Sequence, residues 1–223
     1  MKFRKIVLIF TVLATVFTLF GCQKQTRLQE SLSRLRENVY VGESENYRLT
    51  VYPELRESPM ISDGKISPLK NVVILKLQVK NGLSGEFTVS FTTDKTYEET
   101  FSFSAFSDCY VSSIEVEKLP DKPIIATICH DSAQETITTI SQLKTSTITY
   151  SAALNAAYKA KKDYLQDKMQ NGVFGGEIYL RLIAENDKNY WFVGFITENG
   201  TLCLLLNENG ALLEERSLPP EVK

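Results

Sequence analysis

The chain has 223 residues with 25 basic and 27 acidic side chains, and its 43% hydrophobic content is that of an ordinary globular protein. Residues 1–21 hold three of the basic residues and no acidic one, leaving 22 basic against 27 acidic, a net charge of −5 for the remainder. That balance excludes a polybasic membrane binder, lacks the basic patch of a nucleic-acid protein, and comes with too many apolar residues for a disordered chain.

At the start, Lys2, Arg4 and Lys5 precede an uncharged apolar run of fifteen residues, Ile6 to Phe20. This is the layout of a signal peptide, and it is shorter than the roughly 20 residues a spanning helix needs. The stretch Leu19-Phe20-Gly21-Cys22 resembles the lipobox of bacterial lipoproteins: Leu19, Gly21 and Cys22 match it, and Phe20 stands where the family has a small or β-branched residue. The resemblance covers the first two dozen residues. It implies a signal peptide over residues 1–21, a diacylglyceryl group on Cys22 as the mature N-terminus, and the outer face of the bacterial cell membrane as the address. A thiol can be alkylated to a stable thioether, and two or three acyl chains at about 0.8 kcal/mol per buried CH₂ hold firmly where one is marginal.

Next, Leu28, Leu32, Leu35 and Val39 fall at i, i+4, i+7 and i+11, one apolar helical stripe, and Thr26 with Gln29 fits a capping box. Residues 22–43 therefore read as a lipid tether and a short helix, packed on its own domain or on a partner.

From Tyr47 to about Ile140 the period becomes two. YRLTV, VVILKLQV, EFTVSFT, ETFSFSAF, YVSSIEVE, PIIATIC and ETITTI read as seven short strands. Phe87, Val89 and Phe91 alternate with Thr88, Ser90 and Thr92, so each sheet has one wet face. The spacing predicts an immunoglobulin-like β-sandwich over residues 44–146, although the antibody-type Cys, Trp, Cys order is absent. The loop Leu55 to Lys70 contains Pro59, Pro68 and the turn pair Asp63-Gly64, and offers Met60 and Ile61 either as exposed binding contacts or as part of a plain crossover.

Cys109 and Cys129 flank a predicted hairpin turning around Lys118-Leu119-Pro120. With residue pairs summing to 238, the apolar residues of both strands align and the two cysteines stand opposite each other. Pro123 makes its own pair non-hydrogen-bonded, so alternation makes the 109 and 129 pair non-hydrogen-bonded too. Its Cα atoms would be about 4.5 Å apart, within reach of a disulfide in a compartment where disulfides persist. Cys203, in TLCLLL, is expected to be buried and free.

A second unit spans residues 147–218, followed by a tail over 219–223. Leu154, Ala157, Tyr158, Tyr164, Leu165 and Met169 share one broad helical face that ends at Asn171-Gly172. EIYLRLIAE, YWFVGFIT, TLCLLL and ALLEE follow, separated by the turn sequences NDKN, ENG and NENG. The expected fold class is thus mostly β with an α+β part: a sandwich followed by a helix and an antiparallel meander. Residues 150–216 loosely resemble a PepSY-type module in element order and in the turn Asn207-Glu208-Asn209-Gly210, with Asn207 and Asn209 where that family tends to have Asp and Thr. That resemblance implies an extracytoplasmic module, and no catalytic residue is carried over by it.

Chemistry is sparse. His130, the only histidine, has Asp131 and Ser132 as sequence neighbours, but adjacent strand residues point to opposite faces and make no triad by themselves. The carboxylate pairs Glu98-Glu99 and Glu214-Glu215 read as solvated, Asn186 to Asn189 lacks the acidic density of a calcium loop, and Asn199-Gly200-Thr201 reads as a hairpin turn. The expectation is a lipoprotein that binds an envelope protein or glycan without catalysis, needing no cofactor or metal and binding no nucleic acid. A PepSY-like regulator of an envelope peptidase and a carboxylate-based cell-wall hydrolase are the alternatives.

Overall fold

The structure, a computed structural model, describes residues 27–220; Cys22 and the segment read as a signal peptide lie outside them. After a 3-10 turn at Leu28–Ser31 the strands run β1 (Leu32–Arg36), β2 (Tyr40–Glu43), β3 (Tyr47–Glu57), β4 (Leu69–Val79), β5 (Phe87–Thr92), β6 (Thr96–Thr100), β7 (Ser102–Ser104) and β8 (Cys109–Glu115). β9 (Ile125–His130), β10 (Ala133–Thr138) and β11 (Ile140–Ser141) follow, then the helices α1 (Tyr150–Ala160) and α2 (Lys162–Gln166). The chain ends with β12 (Met169–Gln170), β13 (Val173–Phe174), β14 (Glu177–Glu185), β15 (Lys188–Thr197), β16 (Gly200–Asn207) and β17 (Leu212–Leu218).

The fold is mostly β, as the alternation predicts, with a sandwich and then a helix and meander. One 11-stranded sheet has the main order β17-β16-β15-β14-β1-β3-β4-β8-β7, and a four-stranded sheet, β10-β9-β5-β6, packs against it. Leu49, Val51, Val73, Leu75 and Leu77 of the large sheet meet Phe87, Val89, Phe91, Ala126, Ile128 and Ile137 of the small one in a first core. In a second core, Ala153, Leu154, Ala157 and Leu165 of the helices cover Leu180, Leu182, Trp191, Val193 and Phe195. Thr149 caps α1 by accepting a hydrogen bond from the Ala152 N–H. At the β14–β15 hairpin, Asn186 and Asp187 both have positive φ (49° and 56°), which a two-residue turn of this hand requires.

The two cores share one sheet because β1 bridges them. It runs parallel to β14 and antiparallel to β3. The expected helix over residues 26–39 is therefore not formed. Leu32 and Leu35, three residues apart, would point to opposite faces of a regular strand, but a bulge between Leu32 and Arg34 brings both to the second core. Pairing with two neighbouring strands outweighs the helical spacing. The segment 142–147 between the units is held by Asn189, whose Oδ1 accepts from Lys144 N and Thr147 Oγ1, both at 2.8 Å, while its Nδ2 donates to Gln142 O at 3.1 Å.

The expected hairpin and its disulfide are also not formed. Cys109 and Cys129 are free thiols in different sheets, since β8 pairs with β4 and β7 while β9 pairs with β5 and β10. The segment between them crosses from one sheet to the other. Ile114, Val116, Ile124, Ala126 and Ile128, which a hairpin would align on one face, meet instead in the first core. The same apolar burial is reached across the sandwich. Cys203 is half-buried on the outer face of β16, and its neighbours Leu202 and Leu204 take the core.

Candidate functional site: the open face of the large sheet

The small sheet and both helices lie on one face of the large sheet, and alternation sends the other set of side chains to the opposite, open face. On β3, Leu49 and Val51 go to the core while Arg48, Thr50, Tyr52, Glu54 and Arg56 go to the open face. The register places Arg34 of β1 opposite Arg56 of β3, and Arg36 of β1 beside Arg181 of β14. Four guanidiniums from three adjacent strands are thereby gathered around Glu54.

Glu54 is 0% exposed, and the side chains of Arg34 and Arg36 are each 11% exposed. Arg34 grips the carboxylate in a two-pronged fashion, Nε to Oε2 and Nη2 to Oε1, both at 2.8 Å, and Arg36 Nη1 donates to Oε1 at 3.2 Å. Arg36 also donates through Nε to Leu182 O (3.1 Å) and lies over the Tyr52 ring, 4.4 Å from its centroid. Arg56 donates through Nη2 to Ser113 Oγ (3.2 Å), and Arg181 stacks on Phe192 at 4.5 Å. The Nε atoms of Arg56 and Arg181 are buried without a partner.

Four cations against one carboxylate leave an excess of three positive charges. Burial, with the Arg34 and Arg36 charges next in weight, lowers the Arg181 guanidinium to about 10. Burial likewise pulls Arg36 and Arg56 below the usual arginine range.

Beside Arg36 the open face sinks into a cleft of about 570 Å³, with Arg48, Tyr52, Lys76, Cys109 and Glu185 in its lining. Lys76 Nζ stands 5.7 Å from the Tyr52 centroid, and Arg48 is ion-paired with Glu43. At the other end of the arginine cluster the loop between β3 and β4 folds over as a rim. Glu177, wholly buried at the start of β14, accepts from the N–H groups of Asp63 (3.0 Å), Gly64 (2.6 Å) and Lys65 (3.1 Å) through Oε1 and from Ser33 Oγ (2.9 Å) through Oε2. Burial, with the Glu57 charge adding to it, raises the Glu177 carboxyl despite these bonds. Tyr179 OH and Ser62 Oγ are 2.6 Å apart, and Glu57 accepts from Ser67 N. The loop backbone thus occupies one oxygen of each carboxylate, while Glu57 Oε2 is buried without a partner among the described residues.

Met60 and Ile61, read as binding-loop residues, stay exposed on this rim at 41% and 52%, and Met60 Sδ lies 3.5 Å from Arg34 Nη1. The remaining sequence candidates do not converge. His130 stacks on Phe87 (4.5 Å between ring centres) with Nε2 3.2 Å from Ser84 O, and the exposed Asp131 carboxylate comes within 3.9 Å of its Nδ1, beyond hydrogen-bond reach. Glu214 and Glu215 are on the exposed β17, and Glu215 pairs with Lys161. Sequence reasoning missed Arg34, Arg36, Glu54, Arg56, Arg181 and Glu177. A signal for the first four exists: in RLR and ELR, charges recur at every second residue of strands whose alternate positions are apolar or aromatic.

No family model, curated protein or solved structure matches the chain.

Proposed function

We propose that the chain is a lipid-anchored, non-catalytic binding module of the bacterial cell envelope. A diacylglyceryl group on Cys22 attaches it to the outer face of the membrane, and the open face of the large sheet receives an envelope protein or glycan. The observation that carries the reading is the asymmetry of that sheet: one face is covered by a second sheet and two helices, while the other carries a cleft and half-buried arginines. Half-buried cations on an uncovered sheet are costly to hold for packing alone and well suited to recognition. A hydrolase would need two reachable carboxylates, and Glu54, Glu57 and Glu177 are all buried and engaged by the protein's own groups. The order α1, then β14 to β17, keeps the regulator of an envelope peptidase as a second reading.

The test compares solubilised membranes from cells expressing the wild type, Cys22→Ser and the face variant Arg48→Glu/Lys76→Glu. Cys22→Ser should be released from the membrane fraction or left misprocessed with its apolar segment uncleaved, and one partner captured by the wild type should be lost specifically from the face variant. A Cys22→Ser variant that is still cleaved after Gly21 and remains in the membrane would refute the anchor, and equal capture by the face variant would refute the surface. A peptidase as the captured partner would favour the second reading.

A further inference from the structure

The arginine cluster carries more donors than the protein satisfies. Among the described residues, Arg181 makes no hydrogen bond through its guanidinium, Arg36 uses Nε and Nη1 but not Nη2, and Arg56 uses only Nη2. Arg34 spends Nε and Nη2 on Glu54 and has only the Met60 sulfur near Nη1. Of the buried acids, Glu54 is the one turned toward these guanidiniums, since Glu57 and Glu177 are taken up by the loop N–H groups. Three excess charges on a half-buried surface favour a counter-charge from beyond the described residues.

We propose that Arg34, Arg36, Arg56 and Arg181 form an anion site for a phosphoryl group, with the rest of the ligand lying in the adjacent cleft along Tyr52. This rests on the reading of the open face as the binding face and names the chemistry it recognises. A carboxylate would offset one of the three excess charges. A phosphate monoester brings close to two charges and three acceptor oxygens, which suits unused donors approaching from different strands. Arg36 forms the wall common to cluster and cleft, so an anion on the cluster places its ester substituent over Tyr52 and toward Lys76. The cleft is of the size that holds small ligands. A phosphoryl group can be presented by a soluble ester or by a lipid headgroup, and both offer the same oxygens to the site.

The experiment is calorimetric titration of the detergent-solubilised full chain with inorganic phosphate, glycerol 3-phosphate and acetate at constant ionic strength in chloride. Thermal melts are recorded in the same buffers. Phosphate should bind and raise the melting temperature, glycerol 3-phosphate should bind more tightly than phosphate, and acetate should do neither. Arg181→Met should weaken phosphate binding about tenfold or more while melting no lower than wild type in phosphate-free buffer, because it removes a repelled charge and keeps the contact with Phe192. Arg56→Gln should weaken phosphate binding in the same direction and serves as a second variant. Absence of phosphate binding by the wild type, acetate matching phosphate, or full phosphate affinity in both variants would each overturn the proposal. Vesicles of phosphatidic acid in phosphatidylcholine separate the sources. The anchor holds the chain on any bilayer, so the readout is glycerol 3-phosphate binding: its loss on these vesicles but not on pure phosphatidylcholine assigns the phosphoryl group to a lipid, and equal binding on both assigns it to a soluble ester. Partner capture that survives while phosphate binding is absent would overturn this inference and leave the binding-face reading intact, whereas phosphate binding with equal partner capture by the face variant would do the reverse.

Discussion

Replacing Glu54 by Gln tests the electrostatics of the open face most directly. The carboxylate is fully buried and takes three hydrogen bonds from two guanidiniums. An amide can still accept through its oxygen, but its NH₂ group then faces Arg34 Nε, donor against donor, and the negative charge is gone. Removing one partner of a buried ion pair costs about 3–5 kcal/mol. Four guanidiniums left without any carboxylate among them put this case at the upper end, about 5 kcal/mol. For a domain of this size about 1 kcal/mol corresponds to 2–4 °C in melting temperature, so the variant should melt about 10–20 °C below wild type. Circular dichroism melts and urea titrations in phosphate-free buffer measure both quantities. Arg34→Met/Glu54→Leu should recover only part of the loss, because it removes two buried charges together but still leaves Arg36, Arg56 and Arg181 without a carboxylate. If Glu54→Gln unfolds within about 1 kcal/mol of wild type, the guanidiniums are solvated well enough to need no counter-charge, and the reasoning about the cluster fails.

The Glu177 carboxyl, raised by burial, holds its proton to a higher pH in the folded chain than in the unfolded one. Its contribution to stability is therefore complete below the unfolded carboxylate range and lost as pH rises through the folded value. Glu177→Gln, neutral at every pH, should gain stability relative to wild type between about pH 4 and pH 7 in urea titrations; a constant or shrinking difference refutes this. Gly176→Ala would place a Cβ 2.2 Å from Ile196 O and 2.9 Å from Phe174 Cε1, and should destabilise the second core by about 1–3 kcal/mol in the same assay. Gly194→Ala, whose nearest neighbour is the Phe192 ring at 3.3 Å, should cost less, and a reversed order would contradict the packing at β14 and β15.

Local alternation made most strands legible. Phe87, Val89 and Phe91 are buried and their polar neighbours half-exposed or exposed, as period two requires, and Leu154, Ala157 and Leu165 face the core as period 3.6 requires. Pairing was far less legible, because an alternating strand announces which face it buries and not which strand lies beside it. Cys109 and Cys129 show this: their flanking apolar residues are equally satisfied across a sandwich and within a hairpin. Leu28 to Val39 failed for a related reason, since a bulge in a strand reproduces the three-residue offset of a helix face. Met60 and Ile61 could be read as exposed from the prolines and the turn around them, but the arginines next to them could not be assembled. They come from strands about 20 and 147 residues apart, and only the register brings them to one place.

The position of β1 has a consequence for the order in which the molecule can be made. It is the first strand among the described residues, yet its long partner β14 follows more than 140 residues later. A ribosome delivers β1 well before that partner exists, and the antiparallel contact with β3 covers only two residue pairs. The middle of the large sheet therefore closes only once Glu177–Glu185 has been synthesised, and closing so long a loop slows that step. Until then only the half built from β1, β3, β4, β8 and β7 can exist, and Arg34, Arg36 and Arg56 wait for Arg181: the last arginine of the site arrives on the strand that joins the two halves of the sheet.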